Sequence, residues 1–325
     1  MPVASRSLPA LLLLAVGGVL SLLMALAVGS VSITWQELLA VLAGQGQGLH
    51  QELVYSLRAP RALSAFATGG LLALAGALMQ VLLRNPLADP YVLGISGGAA
   101  VGALLSMLLG LGTAMVSGSA FVGALLSTVL VFGLAQGRGS WTPTRLLLTG
   151  VVIAAGWGAV ITFLLTLSPT EKLPGMLYWL MGDLSYADSP QTAWWVLIPV
   201  LLLTLPLGRS LNVLARGPLQ AAALGVAVKP LEWGVYGLAS LLTAVAVTTA
   251  GSVGFVGLIV PHMLRLVLGN DQRLILPASV LAGGALLTVA DTLARTLMAP
   301  EQLPVGVITA LLGVPTFLFL LYRSR

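Results

Sequence analysis

Apolar residues occupy every side of the chain over long stretches. Residues 8–28, LPALLLLAVGGVLSLLMALAV, carry neither the two-residue alternation of a half-buried strand nor the polar face of a surface helix. A helix crosses the roughly 30 Å of a bilayer's hydrocarbon with about 20 such residues. Reading apolar runs between charges and Pro/Gly breaks predicts ten helices. They lie near 9–30, 61–83, 93–110, 114–136, 145–168, 191–207, 231–250, 255–268, 274–297 and 304–322. The eighth is short. Arg6 precedes the first run, as in a signal peptide, but that run exceeds the usual apolar core of a leader and is read as a retained helix. The fold class expected is all-α: one polytopic transmembrane domain over 1–325.

Composition narrows this further. The chain is 58% hydrophobic and 8% charged, against about 25% charged in soluble domains. That excludes a soluble enzyme and, with so little charge, disorder. Outer-membrane strands alternate in short segments, which these runs do not. Cysteine is absent, and the two histidines, His50 and His262, are far apart, so no resident metal or other cofactor is expected. His262 reads as a structural hydrogen-bonder. The net charge of +5 forms no stripe, so nucleic acid is not expected as a partner.

Basic residues sort by side if ten helices place both termini in the cytoplasm. Arg6, Arg84, Arg138, Arg145, Arg209, Arg216, Lys229, Arg265, Arg273, Arg323 and Arg325 then fall inside, and Arg58, Arg61, Lys172 and Arg295 outside. Eleven against four follows the positive-inside rule, which nine or eleven crossings would scramble.

The chain has no GxxxxGK[ST] loop, so it carries no ordinary ATP-cradling site. No carboxylate falls in mid-run, as proton coupling would need, and no catalytic constellation appears. This describes a translocation body whose energy source is elsewhere, and not an enzyme.

Four segments depart from the lipid-like pattern. Residues 209–230 carry Arg209, Asn212, Arg216, Gln220 and Lys229, broken by Gly217-Pro218, and read as two short helices docking a cytoplasmic partner or as a plain loop. Residues 84–98, RNPLADPYVLGISGG, read as a tight inner turn or a constriction, with Pro86 and Pro90 stopping the preceding helix. Arg58-Ala-Pro-Arg61 opens the second run with Pro60 in its first turn, and Asp291 stands four residues before Arg295 in the favourable helical order. These outer arginines suit acidic groups of an extracellular partner. Residues 251–265, GSVGFVGLIVPHMLR, suggest a broken or closely packed helix.

Together these segments resemble the permease subunit of bacterial ABC importers for iron chelates and vitamin B12. The resemblance rests, in order, on RAPRAL, AGALMQ (75–80), RNPLADPYVLGISGGA, TRLLLTGV (144–151), YWLMG (178–182), ALG in the 209–230 loop, GFVGLIVPHMLR, DTLAR, and LPVGVITALLGVPTFLFLL. It implies a homodimer of ten-helix subunits in the inner membrane, two cytoplasmic ABC ATPases and a periplasmic substrate-binding protein. By the same resemblance, Arg58, Arg61 and Arg295 receive the binding protein. Gln80, Asn85 and Leu87 belong to a cytoplasmic gate and pathway. Pro143 and Thr144 occupy a second gate, where the vitamin B12 branch leads one to expect two small hydroxyl residues. Leu211, Asn212, Gly217, Ala221, Leu224 and Gly225 match the ATPase-coupling segment. The cargo expected is an iron-siderophore, haem or cobalamin. An ion-coupled secondary transporter is the alternative, disfavoured by the missing mid-run carboxylates and the polar 209–230 loop.

Overall fold

The computed structural model describes residues 4–323 except 30, 32, 47, 137–141, 186 and 188. The charges at Arg138, Asp188 and Arg325 therefore lie outside the described residues.

The described residues form helices joined by turns and loops, with no strand among them. In chain order the helices are α1 (Ala4–Ala27), α2 (Trp35–Leu42), α3 (Leu49–Glu52), a π-helical turn (Leu53–Arg58), α4 (Ala59–Leu82), a 3-10 turn (Pro90–Leu93), α5 (Ile95–Leu108), α6 (Thr113–Gln136) and α7 (Pro143–Leu167). There follow α8 (Leu173–Met181), α9 (Gln191–Thr204), α10 (Gly208–Leu214), α11 (Pro218–Ala223), α12 (Val228–Ala250), α13 (Val256–Leu268), α14 (Gln272–Ala294) and α15 (Val305–Arg323). Each of the ten expected runs falls on a helix. Among the described residues, six stretches are long and apolar enough to cross a membrane: α1, the continuous Leu49–Leu82, α6, α7, α12 and α14. The consecutive helices α9 and α10 meet the same test together but bend by 72°, and α5, α13 and Val305–Leu320 of α15 are apolar but shorter.

One boundary differs from expectation. Arg58-Ala-Pro-Arg61 does not open a helix; it lies inside a continuous helical stretch of 34 residues. Pro60 has no N–H to give its own turn and would break a plain α-helix interior. The π turn just before it relieves this, with the Ala59 N–H reaching back five residues to the Val54 carbonyl. Such widened turns accommodate an interrupted ladder.

The central element is α4, with nearly every residue from Ser64 to Leu82 buried. Protein encloses it on all sides, whereas the other apolar spans turn part of their surface outward. It packs on α14, α12, α13 and α9. Its Ala, Gly, Ser and Thr content permits this, because small residues let helix backbones approach closely in lipid. Gly69 faces the Gly283 carbonyl of α14 and Gly76 the Gly257 carbonyl of α13, each too close to admit a Cβ. Gly76→Val is therefore expected to lower the thermal unfolding midpoint of the detergent-solubilised chain, at a cost of about 1–3 kcal/mol from overpacking against backbone. An unchanged midpoint would show that α13 can move away freely. By contrast α7 buries only Leu146, Gly150 and Leu164.

Candidate functional site

Of the candidate residues read from the sequence, Arg58 and Arg61 lie at the start of α4, and Gln80, Asn85 and Leu87 at its far end and just beyond. At its start Arg61 makes a bidentate pair with Asp291 near the end of α14: Nη2 donates to Oδ1 at 2.8 Å and Nε to Oδ2 at 3.0 Å. Arg295 lies on the same carboxylate, its Nε 3.7 Å from Oδ2, so the expected Asp291–Arg295 pair forms. Asp291 is 2% exposed and answers two guanidinium groups. The outer face of Arg61 is engaged too, its Nη1 donating to Gln302 Oε1 at 2.8 Å.

Arg58 is placed differently from a rim residue awaiting a partner. It is 5% exposed, and its Nη1 donates to the carbonyls of Leu26 at 2.8 Å and Ala27 at 2.9 Å. Its Nη2 reaches the Val31 carbonyl. Arg295 Nη2 adds the Ala25 carbonyl. The last carbonyls of a helix have no partner within it, so these two arginines complete the end of α1 and fasten it to the bundle. Among the described residues, Arg61 is the one of the three that also hydrogen-bonds exposed rim groups, Gln302 and Ser185.

At the far end of α4 the chain turns back through 84–94. Arg84 N–H bonds the Val81 carbonyl at 3.2 Å, and Asn85 N–H the Gln80 carbonyl at 3.2 Å. This is a Schellman closure, which places the residue after the C-cap in the left-handed region. Here that residue is Arg84, with φ +50°. Glycine usually takes the position; an L-residue there costs about 1 kcal/mol. Asn85 Oδ1 then accepts from Leu87 N–H at 2.9 Å, and Asp89 Oδ1 from Tyr91 N–H at 2.7 Å. Burial pushes the Asp89 carboxyl up to about 6 against the lowering effect of that hydrogen bond. Gln80 is a bracket: its Nε2 donates to the Leu258 carbonyl at 3.1 Å, and its Oε1 accepts from Arg265 Nη1. It joins α4 to α13 behind the turn.

Pro143 and Thr144 begin α7, capped by Thr142, whose Oγ1 accepts from Arg145 N–H at 3.2 Å. Proline is well suited to a first helical turn, where its missing N–H costs nothing. This accounts for Pro143 where a hydroxyl residue was expected. Thr144 is exposed.

The 209–230 segment contains two short helices, α10 and α11, separated at Gly217, whose φ of +127° suits glycine. Leu211 and Ala221 are fully buried and anchor them, while Leu219 is 85% and Leu224 71% exposed. Gly225 closes α11 by the same Schellman pattern as Arg84, at φ +80°, with Gly225 N–H on Ala222 and Val226 N–H on Ala221. Asn212 ties α10 to the start of α14: its Nδ2 donates to Asp271 Oδ1 at 2.8 Å, and its Oδ1 accepts from Gln272 N–H at 2.7 Å. Hydrogen bonds from Arg273 and Asn212 outweigh burial and hold the Asp271 carboxyl down at about 2. Sequence reasoning did not single out Asp271; its place just before a helix, as an N-cap, was the available signal.

His262 differs from expectation: its Nδ1 is buried without a hydrogen-bond partner. It follows Pro261 inside α13.

One helix, α14, thus touches both ends, holding Asn212 beside its N-terminus and Arg61 near its C-terminus. A 24-residue helix such as α4 spans about 36 Å at 1.5 Å per residue, so the two clusters are separated by a bilayer's thickness.

Comparison with known proteins identifies relatives over most of the chain. The chain is 40% identical over 285 residues to the vitamin B12 import system permease protein BtuC of Vibrio cholerae, covering 85% of each chain. It is 39% identical over 277 residues to the hemin transport system permease protein HmuU of Yersinia pestis, covering 83% of each. Among solved structures, a chain of an ABC transporter assigned to the metal-chelate type, in an inward-facing conformation, superposes with a TM-score of 0.86 at 30% identity. That match covers 96% of this chain and 98% of the other. The FecCD transport family model matches residues 13–323, nearly the whole bundle including both clusters. The chain belongs to the FecCD transport family, as its nine ordered motifs led one to expect.

Proposed function

We propose that the chain is the permease subunit of an ATP-driven importer that moves a metal chelate across the bacterial cytoplasmic membrane. The cargo class is an iron-siderophore, haem or cobalamin. The observation that carries this reading is the α10–α11 pair: a bent, anchored element that presents Leu219 and Leu224 outward and is bolted through Asn212 to α14. A translocation body without its own ATP site needs such a lever.

The reading extends to topology and partners. The six long spans, α9 with α10 bent 72° away from it at the inner face, and the three shorter apolar helices account for ten crossings, with both termini in the cytoplasm. The balance of basic residues supports this: Arg84, Arg209, Arg216, Lys229, Arg265 and Arg273 lie at the α10–α11 end, against Arg58, Arg61, Lys172 and Arg295 at the other. Two cytoplasmic ATPases take the α10–α11 face through Leu224. A second copy of the chain takes the uncovered apolar side, which includes Val152 and Phe163 of α7. A periplasmic binding protein docks on the Arg61 rim with acidic side chains that compete with Gln302; Arg58 and Arg295 hold that rim in shape. Asn85 and Leu87, with Pro143 and Thr144, form the inner gate, braced by Gln80. A chelated metal needs no Cys or His ligands from the path, and weak apolar lining lets cargo leave.

Labelled cobalamin uptake, measured in the source cell with and without the gene, tests the reading together with growth on defined iron sources. Loss of one of these on deletion, restored by the wild-type chain, is expected. A deletion strain that takes up cobalamin, haem and ferric siderophores normally would overturn it.

A further inference from the structure

A cavity of about 570 Å³ opens beside the 84–94 turn, between α4, α10, α13 and the start of α14. Its polar lining includes Arg84, Arg216, Arg265, Asn212 and Asp271. Arg265 is spent on Gln80 and on the Ala77 carbonyl. The acid, Asp271, is already neutralised by Arg273, whose Nη2 lies 2.7 Å from its Oδ2. Among the described residues, Arg84 and Arg216 have no side-chain hydrogen bond or ion pair; Glu232 stands near enough to Arg84 to feel its charge. The cavity therefore offers two guanidinium groups without a hydrogen-bonded partner among the described residues, one of them, Arg84, within the field of Glu232, and a third behind them. The Schellman closure adds a second observation. Its sister at Gly225 uses the relaxed residue, whereas this one keeps an arginine in a left-handed backbone. The fold bears a strained residue where its side chain lines the cavity.

We propose that this cavity binds a phosphate group, supplied by an anionic phospholipid headgroup or by free phosphate. Guanidinium pairs match phosphate oxygens bidentately. The volume lies within the roughly 300–1,000 Å³ of small-molecule sites, and a single carboxylate from a partner chain would leave most of it empty. Basic pockets between membrane helices are a recurring headgroup site. The inference does not depend on the transport reading, because it concerns binding to the isolated chain.

The test uses the purified full-length chain in phosphate-free detergent buffer and the variant Arg84→Gly/Arg216→Gln. Glycine relieves the left-handed strain, so the variant's unfolding midpoint is expected to equal or exceed the wild type's. Arg216→Gln alone, at an exposed position, serves if the double variant does not fold. In one arm, native mass spectrometry follows lipid retained after mixing with phosphatidylcholine vesicles, with or without phosphatidylglycerol. In the other, inorganic phosphate replaces chloride at matched ionic strength and the shift in midpoint is read. Wild-type retention of phosphatidylglycerol, weakened about tenfold or more in the variant, supports the site and names lipid as its source. A phosphate-dependent shift lost in the variant, without lipid retention, supports it with free phosphate as the source. Equal binding by variant and wild type overturns it. So does a wild type that binds neither, which would leave an acidic partner segment as the occupant.

Discussion

Asp291→Ala is expected to lower the stability of the solubilised chain by about 3–5 kcal/mol, the cost of removing one member of a buried ion pair. The carboxylate is 2% exposed and answers two guanidinium groups, Arg61 with hydrogen bonds as short as 2.8 Å and Arg295 at 3.7 Å. Without it two cations face each other in a poorly solvated place. Their side chains also hold α14 to α4 and, through the Ala25 carbonyl, to α1. Asp291→Asn keeps the shape and loses the charge, so it should fall between alanine and wild type. Thermal unfolding followed by tryptophan fluorescence gives the comparison. If all three chains melt together, the cluster is not a structural centre, and its arginines are free for another role. The same experiment bears on docking. An acidic partner that reaches Arg61 must compete with an internal carboxylate, so weakening Asp291 should raise affinity for the partner even as it lowers stability.

The second large effect is expected at the other end. Leu224→Asp should cut capture of the ATPase subunit about tenfold or more, and uptake with it, while leaving the unfolding midpoint unchanged. Leu224 is 71% exposed, so its replacement disturbs no core. A buried apolar anchor at an interface is commonly worth 2 kcal/mol or more, and a carboxylate placed there would be left without a partner. Gly225 is the less clean position, because its φ of +80° strains any L-residue whatever it touches. Leu219→Asp, at 85% exposed, is the companion. Normal ATPase capture by both aspartate variants would remove α10–α11 from the coupling role.

Much of this protein was fixed by sequence pattern. Stretches apolar on all sides for about 20 residues have one stable form in lipid, because helices alone satisfy their own backbone; each expected run accordingly falls on a helix. Gly217-Pro218 placed the break between α10 and α11, since a proline cannot continue the preceding ladder. Ordered motifs identified the family. The four-residue spacing of Asp291 and Arg295 put them on one helix face.

Tertiary structure decided the rest, because it depends on which distant groups meet. Arg58 and Arg61 look alike in sequence, yet one closes the end of α1 and the other pairs with α14, across separations of about 30 and 230 residues. No local rule distinguishes them. Pro60 marks a helix start by local preference, but packing carries the helix through it on a π turn. Asp271 joined Asn212 only when α10 folded back beside it. Arg84, Arg216 and Arg265 are isolated charges in the chain and neighbours only around one cavity, because helix packing alone brings α4, α10 and α13 to a common end.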